Sequence, residues 1–231
     1  MFDLVIFDLD GTLVDTAPEI SDAVNATLAH WRHASVSEAQ VRSWIGLGTR
    51  ELLGFALAEA THLARHDPQL RLLVDQAMPD FERHYFAACG TRSRVYRDVE
   101  HSLDALRALD VRLALATNKE ERFTFAVLDR HRLRDYLDLV VCGDTLAAKK
   151  PDPLPLAHCM RCLGARAERT LFVGDSEIDV MTARNAQVPI WAVPYGYNHG
   201  RAIVEARPDR VIPTIDDVAR CIGEQRAATY S

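Results

Sequence analysis

No stretch of this 231-residue sequence approaches the roughly 20 consecutive apolar residues that cross a bilayer. No basic leader precedes the first apolar run either, which is bracketed by Asp3 and Asp8. The expectation is a cytoplasmic protein with neither a membrane span nor a signal peptide. Positive charge is in deficit: 27 Lys and Arg stand against 33 Asp and Glu, a formal net charge of -6, and no basic tail offsets it. That balance argues against an extended nucleic-acid surface, and it leaves any anionic ligand to be held by local cations. Cysteines are few, five in all, an odd and scattered set suited to reduced thiols. Cys159 and Cys162 form a C-x-x-C, but no second pair or histidine follows at zinc-finger spacing. Leu156, Met160 and Leu163 around the pair predict a helix with both cysteines packed in the core. There is no internal repeat and no low-complexity segment. What remains is an ordinary globular composition, long enough for one large domain or a domain with a sizeable insertion.

The chain is organised around its first sixteen residues. Phe2, Leu4, Val5, Ile6 and Phe7 make an apolar run too short for a helix and suited to a strand buried on both faces of a parallel sheet. It ends in Asp8-Leu9-Asp10-Gly11-Thr12. Two carboxylates at the end of a buried strand are expensive to desolvate unless they meet a cation or carry chemistry. Gly11 permits the sharp turn that keeps Asp10 near Asp8. An isolated D-x-D-G could equally cap a turn.

After this start, Thr16-Ala17-Pro18-Glu19 has the spacing of a capping box with Pro in the first turn, which predicts a helix there. Helical patterns continue through residues 41–44, 50–63, 69–78 and 80–88, with no strand between them. Residues 16–88 therefore read as an all-helical cap. From Tyr96 the rhythm changes. Helices at 101–109, 120–132, 152–163 and 176–186 alternate with strands at 111–117, 137–142, 170–174 and 188–193, and 209–212 can add an edge strand before a C-terminal helix. Such alternation implies right-handed βαβ units. The expected fold is α/β, a doubly wound, Rossmann-like parallel sheet built from residues 1–15 and 89–231, with the cap inserted after strand one.

Each further polar candidate falls just past an expected strand. Thr117-Asn118 follows the second, Lys149-Lys150-Pro151 lies beyond the third, and Gly174-Asp175-Ser176-Glu177-Ile178-Asp179 ends the fourth. Singly these read as a helix cap, a solvated lysine and acids complementing a helix dipole. Their convergence on the edge where open parallel sheets bind ligands points to a site.

These motifs, in this order, resemble those of the haloacid dehalogenase superfamily: Asp8-x-Asp10-Gly11-Thr12, Thr117-Asn118, Lys150-Pro151 and Gly174-Asp175-Ser176-x-x-Asp179. The helical insert resembles the subfamily capped after strand one. Within it, Val41 to Gly48, Thr117-Asn118-Lys119, Lys149-Lys150-Pro151 and Tyr195-Gly196-Tyr197-Asn198-x-Gly200 are similar to segments of phosphoglycolate phosphatases. Two departures stand out. Arg97-Asp98 replaces the Pro-Gly expected where the chain returns from the cap, and Ala186-Gln187 replaces Ala-Gly before strand five.

The resemblance implies a phosphatase of a small phosphorylated metabolite, with 2-phosphoglycolate the best candidate. Asp8 would be the nucleophile and Asp10 the acid and base. Thr117, the Asn118 amide and Lys150 would bind the phosphoryl group. Mg²⁺, favoured by oxygen-only ligands, would sit on Asp8, the Asp10 backbone carbonyl and Asp175, with Asp179 acting through water or orienting Lys150. In the cap, Gly46-Leu47-Gly48-Thr49-Arg50 is the candidate for recognising the substrate carboxylate. Gly48 would expose backbone amides, and Arg50 would either add a cation or pair with Glu51 on the helix surface. A monomer or homodimer is expected. Pyrophosphatase, nucleotidase and hexose-phosphate phosphatase or mutase activities remain open on the same scaffold. A phospho-accepting receiver module is shorter and lacks the insert, and a haloacid dehalogenase lacks the second acid.

Overall fold

A computed structural model describes residues 2–229. Met1, Tyr230 and Ser231, which the expected core boundaries include, lie outside the described residues. The central strand is β1 (Leu4–Phe7), all four residues of which are fully buried. β1 pairs in parallel with β4 (Arg112–Ala116) on one side and β6 (Thr170–Gly174) on the other. With β5 (Leu139–Val141), β7 (Ile190–Ala192) and β8 (Arg210–Val211) the sheet runs β5-β4-β1-β6-β7-β8. The period-2 alternation of a strand sorts its side chains between two apolar layers. Val5, Phe7, Leu113, Leu115, Leu171 and Val173 face the layer formed with α5 (Val99–Ala108), α6 (Glu121–Arg130) and α9 (Asp216–Thr229). Leu4, Ile6, Ala114, Ala116 and Phe172 face α7 (Leu154–Cys162) and α8 (Glu177–Ala186). This is the doubly wound α/β sheet that the sequence pattern predicts.

Between β1 and β4 the chain forms α1 (Ala17–His30), α2 (Glu38–Trp44), α3 (Thr49–Thr61) and α4 (Pro68–Ala88). They close on an apolar cluster of their own that includes Ile20, Val24, Leu28, Leu53, Leu57 and Phe81, and into which Phe123 and Tyr197 reach from the sheet side. The patterns at 69–78 and 80–88 belong to one helix, α4, which continues through Pro79. A proline inside a helix removes one backbone hydrogen bond. Leu70, Val74, Ala77, Phe81 and Tyr85 nonetheless keep an unbroken buried stripe across it, so packing outweighs the local penalty. A two-residue antiparallel pair, β2 (Val14–Asp15) with β3 (Arg94–Val95), ties the entry of this insert to its exit. Runs that short carry no readable alternation.

Three local expectations are corrected. Thr16 precedes α1 in helical geometry with no side-chain cap, because its hydroxyl donates to Asp10 Oδ1 at 2.7 Å. Glu19, the other half of the predicted box, is fully buried and accepts from the Gly90 and Ser93 backbone amides at 2.8 and 3.0 Å. Of the C-x-x-C pair only Cys159 packs in the core, whereas Cys162 is exposed beside His158.

Both departures from the family pattern fall where the backbone is left-handed: Asp98 has φ 64° and Gln187 φ 56°. The conformation that glycine would adopt freely is kept by other residues at a cost of about 1–2 kcal/mol each. Gln187 is exposed at the end of α8. Gln187→Gly should therefore raise stability by about 0.5–1 kcal/mol, once the greater freedom of the unfolded chain is subtracted. Urea unfolding checks this, and a lower midpoint would show that the Gln187 conformation is unstrained.

Candidate active site

Parallel pairing of β4, β1 and β6 brings the segments leaving all three strands to the same edge, with the exit of β5 alongside. Asp8, Asp10, Thr117, Asn118, Lys150 and Asp175 line one cavity there. Gly11 makes the arrangement possible. It has φ 88°, and a side chain on it would run into the Asp175 carboxylate and the Tyr197 ring.

Lys150 is the electrostatic centre of the cavity floor. Its ammonium lies 2.9 Å from Asp8 Oδ1, as an ion pair rather than a directed hydrogen bond, and donates to Asp179 Oδ1 at 2.7 Å. Burial opposes the charge on Lys150, but Asp179 and Asp8 outweigh it and hold the amine protonated. Asp179, fully buried, has no free oxygen. Its Oδ2 accepts from the backbone amides of Asp175 and Ser176 at 3.2 and 3.1 Å and from the Ser176 hydroxyl at 2.6 Å. Ser176 caps α8 in the same exchange, forming a capping box with Asp179. Asp175 is held by the Thr12 hydroxyl at 2.9 Å and by the Tyr197 amide. Burial, aided by Asp179 and Asp8, pushes the Asp175 carboxyl well above the usual range. Burial likewise raises Asp8, against the pull of Lys150.

Asp8, Asp175 and Asp179 each offer an oxygen within 4.8 Å of the other two. Three buried carboxylates are gathered here and one buried ammonium pairs with two of them, so a bound cation would offset the remaining acidic charge. The donors are all oxygen, which suits a hard divalent ion. The cluster is therefore fit to hold a metal.

On the cap side, Gly46 and Gly48 line the cavity and Arg50 does not. Arg50 is exposed and pairs with Asp75 of α4, while Glu51 pairs with Arg65. Neither the recognition role nor the Glu51 pairing matches that position. The loop is fastened to the core by three contacts. Asn118 Nδ2 donates to Gly46 O at 2.9 Å, Lys149 Nζ to Leu47 O at 2.7 Å, and Thr49 Oγ1 to Glu120 Oε1 at 2.6 Å. Gly48, at φ 96°, sits so close that a Cβ would lie 2.9 Å from Lys149 Nζ.

Sequence reasoning left several site residues without a role. Lys119 is buried and donates to Asp10 Oδ1 at 2.7 Å, so each aspartate of the first motif has its own lysine. Its position directly after Thr117-Asn118 was the available signal. Tyr197 anchors the cap entry: its hydroxyl accepts from the Thr16 and Ala17 amides at 2.9 and 3.0 Å and donates to Asp15. Tyr85, contributed by α4, had no signal beyond the buried stripe of its helix.

A parallel-sheet edge carrying a carboxylate pair, two buried lysines and a cation-ready acidic cluster is a candidate site for a hydrolase. The model of the haloacid dehalogenase-like hydrolase family matches residues 5–193, and the chain belongs to that family. It is 40% identical over 218 residues to a phosphoglycolate phosphatase of Nitrosospira multiformis, covering 94% of each chain. It is 41% identical to phosphoglycolate phosphatase 1 of Pseudomonas aeruginosa, over 94% of this chain and 79% of that one. The crystal structure of a predicted phosphoglycolate phosphatase from Haemophilus somnus superposes with a TM-score of 0.86 at 28% identity, covering 96% of this chain and 98% of that one. The chain is an enzyme, and no helix among the described residues is long and apolar enough to cross a membrane.

Glu19 generates a pH prediction. Burial raises its carboxyl above the ordinary 4.5, with Lys119 and the Ser93 and Gly90 donors pulling the other way. A raised acid favours the folded state while protonated. Its stabilising contribution is present in full below the ordinary value and is lost as pH rises through the folded one. Glu19→Gln removes that titration. The stability of the parent minus that of the variant, from urea unfolding, should grow as pH falls from neutrality toward 4.5. A difference that shrinks would mean the hydrogen bonds and Lys119 outweigh burial.

Proposed function

We propose that the chain is a Mg²⁺-dependent phosphatase of a small phosphate monoester, converting 2-phosphoglycolate to glycolate and phosphate through an aspartyl-phosphate on Asp8. The observation that carries this reading is the separate pairing of the two first-motif aspartates, Asp8 with Lys150 and Asp10 with Lys119. One carboxylate is thereby set beside a phosphoryl-end cation, and the other is held through Oδ1 by Lys119 and Thr16, which leaves Oδ2 for proton exchange. The names of the relatives support the substrate.

Asp8, the Asp10 backbone carbonyl and Asp175 are the oxygens that would hold Mg²⁺. When bound, the ion offsets the charge of the carboxylates and of the phosphoryl oxygens. Asp8 attacks phosphorus in line, and a P–O bond forms to its carboxylate as the ester P–O bond breaks. Asp10 gives its proton to the departing alkoxide. It then takes a proton from the water that attacks the phosphorus of the aspartyl-phosphate, which restores Asp8 and releases phosphate. Lys150, the Thr117 hydroxyl and the Asn118 amide stabilise the phosphoryl oxygens. Asp179, with both oxygens engaged, positions Lys150 and would reach the ion only through water. Residues 16–88 act as a cap on a core of residues 1–15 and 89–231, with the Gly46–Gly48 loop excluding water from the reaction. The substrate is a soluble metabolite, consistent with a cytoplasmic monomer or homodimer.

Asp8→Asn should lower kcat by more than about 10³-fold with the fold intact by circular dichroism, and activity within about tenfold of the parent would end the covalent reading. EDTA should abolish turnover and Mg²⁺ restore it, with Ca²⁺ a poor replacement because of its larger shell. Full activity in metal-free buffer would remove the metal from the mechanism. In a panel with pyrophosphate, nucleoside monophosphates and hexose phosphates, 2-phosphoglycolate should give the highest kcat/KM.

A further inference from the structure

Two donors in the cavity have no part in the chemistry above. The Lys119 ammonium is buried and spends a single hydrogen bond on Asp10, with its charge 5.0 Å from the centre of the Tyr85 ring. Tyr85 lines the same cavity, and its hydroxyl is buried with no hydrogen-bond partner. A buried hydroxyl left unpaired is a standing cost, and it is repaid when a ligand supplies an acceptor. Burial also keeps this phenol protonated, so it remains a donor.

Their placement says which end of a substrate they meet. Lys150, on Asp8, marks the phosphoryl end. Lys119 holds Asp10, the acid that protonates the leaving oxygen, so it marks the leaving-group end. In 2-phosphoglycolate the carboxylate carbon is bonded to the carbon bearing the ester oxygen, which keeps the second anionic group within a few ångströms of Asp10. Other cations nearby are committed elsewhere: Arg50 to Asp75, and Lys149 to the Leu47 carbonyl. Beside Gly46, Gly48 and Thr49, whose hydroxyl is spent on Glu120, the cavity is lined by the apolar side chains of Ile20, Ile45 and Leu52. Those residues offer nothing to the hydroxyls of a sugar.

We propose that Lys119 Nζ and Tyr85 Oη together bind the carboxylate of the leaving group, and so select phosphoesters of short hydroxy acids over neutral alkyl phosphates and sugar phosphates. The inference rests on the phosphatase reading above and supplies its substrate-recognition residues, one from the core and one from the cap. Closure of the cap thereby completes the carboxylate site.

The test compares kcat/KM for 2-phosphoglycolate and for ethyl phosphate, the same ester with a methyl group in place of the carboxylate. Ethyl phosphate also has an unactivated leaving group, so both substrates need Asp10 equally. Any indirect effect of a variant on Asp10 cancels in the ratio. Tyr85→Phe should lower the ratio by about tenfold and Lys119→Met by about 100-fold or more, as expected when a hydrogen bond or charge on a carboxylate is removed. Lys119→Arg should retain most of it. Tyr85→Phe deletes only an unpartnered hydroxyl, so its urea midpoint should equal or exceed that of the parent. A parent preference that survives both Tyr85→Phe and Lys119→Met, with equal losses on the two esters, overturns this inference and leaves the phosphatase reading intact. A parent with no preference for 2-phosphoglycolate overturns the inference and the substrate assignment together.

Discussion

A single buried ammonium, Lys150, is the constraint on which the site depends. Removing a charge from water costs several kcal/mol, recovered only if the partners are close and fully satisfied. The first condition is met by both partners and the second by Asp179. Asp8 and Asp179 lie within 3 Å of its nitrogen, and the remaining oxygen of Asp179 takes three donors from the start of α8. That geometry requires β1 and β6 to be adjacent and in register, which the parallel pairing of Leu4–Phe7 with Thr170–Val173 secures. The sheet order is thus as much an electrostatic requirement as a packing one.

The helical insert is joined to the sheet mainly by polar contacts at its two ends and at its loop. Tyr197 holds the Thr16–Ala17 amides, Glu19 holds the Gly90 and Ser93 amides, and the β2–β3 pair closes the neck. Hydrogen bonds of this kind each contribute about 0.5–1.5 kcal/mol net, whereas the apolar clusters supply the bulk of the burial. The insert and the sheet each keep a largely separate apolar core, so the seam between them is the weaker part of the structure.

The sheet was legible because its strands are short contiguous apolar runs, and most of the candidate site was legible because Asp8, Thr117 and Asp175 each follow the last residue of a strand, whereas Lys150 stands well past the end of β5. Asp8, Thr117, Lys150 and Asp175 needed only chain order to be placed. What sequence could not show were contacts chosen by competition between distant groups. Thr16 and Glu19 have capping-box spacing, yet Asp10 and the return segment offer them better partners than the helix end does. Arg50 lies in the right loop but on the wrong face, where Asp75 from another helix takes it. Tyr85 and Lys119 are separated by 34 positions and belong to different parts of the fold, so no local pattern announces their meeting. Cys162 followed the helical period but fell on the solvent side of α7.

Asn118 spans both halves of the molecule. Its side-chain amide donates to the Gly46 carbonyl in the cap loop and to the Lys150 carbonyl in the core, each at 2.9 Å. The position of the Gly46 loop and the placement of Lys150 therefore share one side chain, and any linkage through it runs equally in both directions. Whatever draws the loop inward steadies the peptide that carries the lysine. Whatever occupies the lysine makes departure of the loop more costly by the same amount. In the phosphatase proposed above, anion binding and loop position would therefore be coupled through Asn118, and release of product would loosen both.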